Sequence, residues 1–269
     1  MERVRYVIVG MARSGTTATH AAIYGHPNIC AMADEVRVSP FFTSGVASFT
    51  VGGINEYERK LNYGCLFDAT TIYPSRAPDP QGKKLISYNG TPESPKADRQ
   101  GIQANGLKVA IPNAEDAAAL VDSLRKYFLE IKIIHVQRKD WVAQFASLHR
   151  ATKTGVWHTQ GNDAPPKPAE TGKMTLPIQP FERYVDMAVE VENLLLSLGE
   201  SHAVRKVSYE QEISVAGSPW ARGVFEFLGV TPIDPTWQRL TKTAPPLEDY
   251  VDNVEPLREI LAKRSPAHQ

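Results

Sequence analysis

Residues 4–10 form an almost unbroken apolar run, rich in β-branched side chains and closed by Gly10, which predicts a strand buried on both faces. The stretch from Gly15 to Tyr24 predicts a helix directly after it. A second short apolar run spans residues 107–111, and Asn113 with Asp116 three residues later has the form of a capping box, opening a helix to about residue 128. Residues 131–137 predict another strand, and Asp140 caps a helix from Trp141 to about Thr152. Tyr184, Ala188, Val191 and Leu195 recur at helical spacing within residues 181–198, and Gly199 stops that helix. A strand over residues 204–208, a helix over 219–228 closed by Gly229, and a helix over 254–263 complete the series. Strands alternating with helices predict an α/β fold of P-loop type, three layers deep, with a central, mostly parallel sheet flanked by helices.

No repeat or domain break interrupts this pattern, so a single domain over residues 1–269 is expected. Two proline-rich, polar stretches fall outside it. Five of the 20 prolines lie between Pro74 and Pro95 and five more between Pro165 and Pro180. They read as long insertions near residues 74–105 and 158–180, either functional lids or disordered excursions.

Composition narrows the class. With 30 basic and 30 acidic residues the net charge is zero, which gives no footprint for nucleic-acid binding. Only two cysteines occur, Cys30 and Cys65, too few for a disulfide framework or a cysteine metal site. No apolar run approaches the ~18 residues that a spanning helix needs, and the charged N-terminus enters a strand at once. A cytoplasmic protein without a membrane span is expected.

The chemistry concentrates between the first strand and first helix, in Gly10-Met11-Ala12-Arg13-Ser14-Gly15-Thr16-Thr17. Successive backbone N–H groups before a helix N-terminus form an anion cradle. Arg13 adds a cation, and Ser14, Thr16 and Thr17 add hydroxyls. Gly10 and Gly15 keep the spacing of a Walker A loop, but Thr16 stands where that loop has lysine. Ala12 stands where a dinucleotide fingerprint needs its second glycine.

Arg-Ser-Gly-Thr-Thr after a first strand resembles the 5′-phosphosulfate loop of sulfotransferases that use 3′-phosphoadenosine 5′-phosphosulfate (PAPS). Three further segments share that resemblance. Residues 133–147, with Arg138 at a strand end and Ser147 on the next helix, resemble the 3′-phosphate element, and residues 148–157 continue it in the manner of the bacterial trehalose-sulfotransferase-like (Stf0-type) branch. Val207-Ser208-Tyr209-Glu210 with residues 224–229 resembles a late Tyr-Glu-Asp and Phe-Leu-Gly pair. Residues 240–253 resemble a common C-terminal tail.

The resemblance implies a PAPS-dependent sulfotransferase that moves a sulfuryl group to a hydroxyl of a small-molecule, carbohydrate or lipid acceptor, releasing 3′-phosphoadenosine 5′-phosphate (PAP). Arg13, Ser14, Gly15, Thr16 and Thr17 would hold the 5′-phosphosulfate, Arg138 and Ser147 the 3′-phosphate, and Tyr209 the adenine. Gln144, three residues before Ser147 on one helix face, is an alternative phosphate ligand. Arg13 would also assist the leaving group, and no metal is expected. Glu35, placed in a loop beyond the first helix, is the expected general base. His20 and Lys108 are its rivals, while His135 reads as a core histidine. The Arg-Lys-Gly segment of the animal cytosolic enzymes is absent, with Lys242 its expected substitute. A nucleotide kinase or other P-loop NTPase, or a non-catalytic nucleotide-binding protein, are the alternatives. The oligomeric state is open, a homodimer being one option.

Overall fold

The computed structural model describes residues 3–37, 46–47, 61–62, 101, 103–155, 173–215, 218–234 and 246–265. Five strands make its central sheet: β1 (Val4–Met11), β2 (Ile29–Arg37), β5 (Ala104–Ile111), β6 (Lys132–Gln137) and β7 (Val204–Ser208). Their order is β2-β5-β1-β6-β7, and every neighbouring pair is parallel. All five C-terminal ends therefore open on one edge. A second, antiparallel sheet pairs β3 (Val46–Ala47) with β4 (Leu61–Asn62).

Helices α1 (Thr16–Tyr24), α2 (Ala114–Tyr127), α3 (Trp141–Thr154), α4 (Ile178–Ser197), α5 (Trp220–Leu228), α6 (Leu247–Tyr250) and α7 (Val254–Arg264) cover the two faces. The period of two along β1 decides which residue meets which layer. Val7, Val9 and Met11 join Leu107, Val109 and Ile133 in a core closed by α2, α3, α4, α6 and α7. Tyr6 and Ile8 point the other way, joining Ile134, Val136 and Val207 in a core closed by α1 and α5. Each fully buried large apolar side chain stabilises by ~1.5–3 kcal/mol, so a sheet clothed on both faces is a rigid base for whatever its edge carries.

The caps follow the residue chemistry. Asn113 accepts from Asp116 N at 2.8 Å and Asp140 from Ala143 N at 2.8 Å, opening α2 and α3. Gly155 and Gly229 close α3 and α5 in the left-handed conformation. Helix α4 starts at Ile178 rather than 181, because Pro180 sits in a first turn that needs no amide donor from it.

One element differs from expectation. Residues 29–37, where a loop bearing Glu35 was expected, form edge strand β2, paired with β5 through a register shift between Ala31 and Glu35. The run Ala31-Met32-Ala33-Asp34-Glu35 has neither β-branched residues nor alternation, so pairing to β5, at Gly106 and Lys108, makes it a strand. The two insertions and Lys242 lie outside the described residues, apart from the ends at which β5 and α4 begin.

Candidate functional site

The chain runs from β1 to β2 on one side of the sheet and later crosses to β6 and β7 on the other, so the order reverses between β1 and β6. In open α/β sheets ligands bind at such a switch point, outside the carboxyl ends of the strands. The Arg13 loop follows β1 there, Arg138 follows β6, and Tyr209 follows β7.

The loop is held in an unusual shape. Arg13 has φ 67°, in the left-handed region that non-glycine residues rarely enter. Gly15 has φ +105°, and a Cβ there would stand 2.9 Å from Ile213 Cδ1 and 3.0 Å from Tyr209 Cδ2. Gly15 is thus required by its own backbone and by the turn after β7, a reason not visible in the motif. At Gly10 a Cβ would meet the Val136 carbonyl at 2.6 Å and Ser14 Oγ at 2.8 Å. β6 therefore packs directly against the loop base.

Three side chains tie the loop to its neighbours. Arg13 Nε donates to Ser147 Oγ at 3.0 Å, Arg138 Nη1 donates to the Arg13 carbonyl at 3.2 Å, and Gln144 Nε2 donates to the Ala12 carbonyl at 2.8 Å. Gln144 therefore braces the loop, while Ser147 meets Arg13. The Arg138 guanidinium stacks over the Tyr209 ring, 4.4 Å from its centroid, a cation–π contact. Glu210 fixes the same corner, accepting from Lys139 N and Asp140 N, each at 3.1 Å. Its carboxylate at the N-terminus of α3 also suits the helix dipole.

The electrostatics are those of an anion site. Burial lowers the Arg13 pKa below the ordinary guanidinium value, and the neighbouring Arg138 charge lowers it further. Two like charges brought together as buried groups are mutually unfavourable, and an anion between them reverses the sign. Polar atoms stand ready for it. Ser14 Oγ, Arg138 Nε, Gln144 Oε1 and the Tyr184 hydroxyl are buried with no hydrogen-bond partner among the described residues.

The other expected residues gather on the α1 side. Lys108 Nζ donates to Thr17 Oγ1 at 3.1 Å, so this buried lysine reaches the end of the loop from β5. The Glu35 backbone lies beside Lys108 in strand register. His20 is buried on α1, one turn after Thr16, with its ring 5.8 Å from that of Tyr24. His135 is fully buried within β6, with Nε2 3.2 Å from Glu192 Oε2, as a core histidine should be. Tyr184, Glu210, Arg150 and Tyr250 were not assigned a role at the site from sequence. Tyr184 read as a core position of its helix, and the other three lay within segments that resemble the family.

Among the described residues no group of three or more His, Cys, Asp or Glu side chains is placed to hold a metal ion. No helix among them is long and apolar enough to cross a membrane.

In structure the chain is similar to a sulfotransferase from Alicyclobacillus acidocaldarius, at TM-score 0.51 and 14% identity over 100% of this chain and 93% of that one, a likeness of fold. It is also similar to the sulfotransferase domain of the Synechococcus PCC 7002 olefin synthase, at TM-score 0.48 and 17% identity over 97% and 86% of the two chains. No curated protein matches the sequence. The model of the Stf0 sulphotransferase family matches residues 98–194, a span that runs from β5 into α4 and contains Lys108, Arg138 and Ser147. Over that span, about a third of its length, the chain is similar to the Stf0 sulphotransferases.

Proposed function

We propose that this protein transfers a sulfuryl group from PAPS to a hydroxyl of a small-molecule, carbohydrate or lipid acceptor, giving PAP and a sulfate ester. The observation that carries the reading is the pair Ser14 Oγ and Arg138 Nε, both buried without a hydrogen-bond partner among the described residues, with Arg138 held on the Arg13 carbonyl. A buried polar atom without a partner costs ~1–3 kcal/mol, and a ligand rich in anionic oxygens removes that penalty at several atoms together. The residues present fit such a donor. Arg13, Ser14 and the amides of Gly15, Thr16 and Thr17 would hold the 5′-phosphosulfate, and Arg138 with Ser147 the 3′-phosphate. Tyr209, already stacked on Arg138, would fix that arginine and edge the adenine.

PAPS supplies a sulfuryl group on a phosphate that leaves readily. The protein's part is alignment and charge stabilisation, as in phosphoryl transfer. The acceptor oxygen forms a bond to sulfur as the sulfur–phosphate oxygen bond breaks. The acceptor proton passes to a base, and Arg13 with the loop amides stabilises the charge left on the phosphate. Glu35, beside Lys108 in register, is the proposed base, with His20 and Lys108 its rivals.

The reading is tested with sulfur-labelled PAPS and a panel of sugars, phenols and lipid alcohols. Label should move to one hydroxyl class with equimolar PAP. Glu35→Gln should lower kcat by ~10²–10⁴, the range of general base catalysis, and leave PAP affinity unchanged. Label that reaches no acceptor, although PAP binds, would contradict the transferase assignment. Full turnover by Glu35→Gln would move the base to His20 or Lys108.

A further inference from the structure

Two side chains near the proposed nucleotide site have no part in it so far. Arg150 lies on α3 three residues beyond Ser147, so the two share a helix face. Its guanidinium lies over the ring of Tyr250, 5.7 Å from the centroid. Tyr250 ends α6 and is firmly anchored. Its carbonyl accepts from Met174 N at 2.8 Å, and Val251 forms a parallel bridge with Met174. Asn253 exchanges two hydrogen bonds with the Leu176 backbone, at 2.9 and 2.8 Å.

The Tyr250 phenol is partly buried and lies within the fields of Arg138, Arg150, Asp140 and Arg13. Burial raises its pKa above the ordinary tyrosine value, so it is a neutral O–H donor at physiological pH. Tyr184 lies close by in the same sense, only 7% exposed, its unpartnered hydroxyl within the fields of Arg138 and Glu192. Three guanidiniums and two phenols thus gather about the end of β6. Three described carboxylates of this region hold other groups. Asp140 caps α3 through Ala143 N, Glu210 accepts from Lys139 N and Asp140 N, and Glu192 accepts from Gln137 Nε2.

We propose that Arg150 and Tyr250 are ligands of the terminal 3′-phosphate, completing a pocket that Arg138 and Ser147 begin. The assignment rests on the PAPS reading above. A phosphate monoester carries about 1.5–2 negative charges at neutral pH, more than one guanidinium balances. Arg150 supplies the second cation, a part for which Lys242 was the expected residue. Tyr250 donates a hydrogen bond without adding charge, and its ring holds the Arg150 guanidinium in place.

Calorimetric titration of PAP and of adenosine 5′-monophosphate, which lacks the 3′-phosphate, isolates the contribution of that group. Arg150→Ala should weaken PAP binding ~10–100-fold and Tyr250→Phe ~3–10-fold, as expected for charge-assisted and neutral hydrogen bonds. Binding of the monophosphate should change less than ~2-fold in both variants, by the same reasoning. Tyr250→Phe keeps the ring, so thermal unfolding at the wild-type temperature would establish that its loss is local. Equal weakening of both nucleotides, or unchanged PAP affinity, overturns the assignment of Arg150 and Tyr250 while leaving the PAPS reading intact. A wild-type protein that does not distinguish the two nucleotides overturns both.

Discussion

Arg13 concentrates the site's physical tension in one residue. Its left-handed backbone, at φ 67°, costs ~1 kcal/mol or more in a non-glycine residue, and its partly buried guanidinium lies within the field of Arg138. Such a residue is costly to the fold and suited to an anionic ligand. Arg13→Gly should therefore abolish PAP binding, weakening it by at least ~100-fold, without lowering the thermal midpoint. Calorimetry and thermal unfolding of the one variant check both halves, and a clear fall in midpoint would contradict the strain argument. Arg13, Gly15, Arg138 and Ser147 were legible in the sequence because each sits at a strand end or on the helix after it, where type and context combine. The contact between Arg150 and Tyr250 was not, because 100 residues separate them and tertiary packing alone brings them together. Gly15 was legible for an incomplete reason, since its contacts with Tyr209 and Ile213 are tertiary.

At the level of elements, the end of β6 and the start of α3 place Arg138 and Ser147, and both are braced from below. Glu192 on α4 is buried, accepts from Gln137 Nε2 at 2.9 Å, and lies 3.2 Å from His135 Nε2. His135 makes no hydrogen bond to it and is only packed against it. Removing this carboxylate leaves the Gln137 amide without its acceptor and a void beside the buried His135. Glu192→Ala should destabilise by about 3 kcal/mol, lowering the thermal midpoint by about 6–12 °C for a chain of this size. A midpoint within about 2 °C of wild type would show that the brace carries little. β1, β6, β7, α1, α2, α3, α5 and α7 are present at their expected places, and β5 and α4 begin three residues earlier than expected. Edge strand β2 escaped that reading because pairing to β5 alone makes it a strand. The brief helix α6 escaped because four residues hold no periodicity to detect.

Two apolar layers clothe a parallel sheet, and polar residues converge at its carboxyl edge, at the β1–β6 reversal. That arrangement was readable from alternating strands and helices, since parallel strands need crossovers and crossovers cover both faces. The acceptor's identity was not readable, because acceptor pockets are built by loops that vary on a shared scaffold. The donor site belongs to the scaffold itself, so nucleotide binding tests the account most directly. The decisive measurement is calorimetric titration of PAP with EDTA present, against ATP as control, in wild type and Arg138→Ala. The account predicts metal-independent binding of PAP in preference to ATP, weakened by Arg138→Ala by ~30-fold or more, the loss expected when one partner of a buried charged contact is truncated. Preference for ATP with Mg²⁺, or no binding of PAP by folded protein, would contradict it.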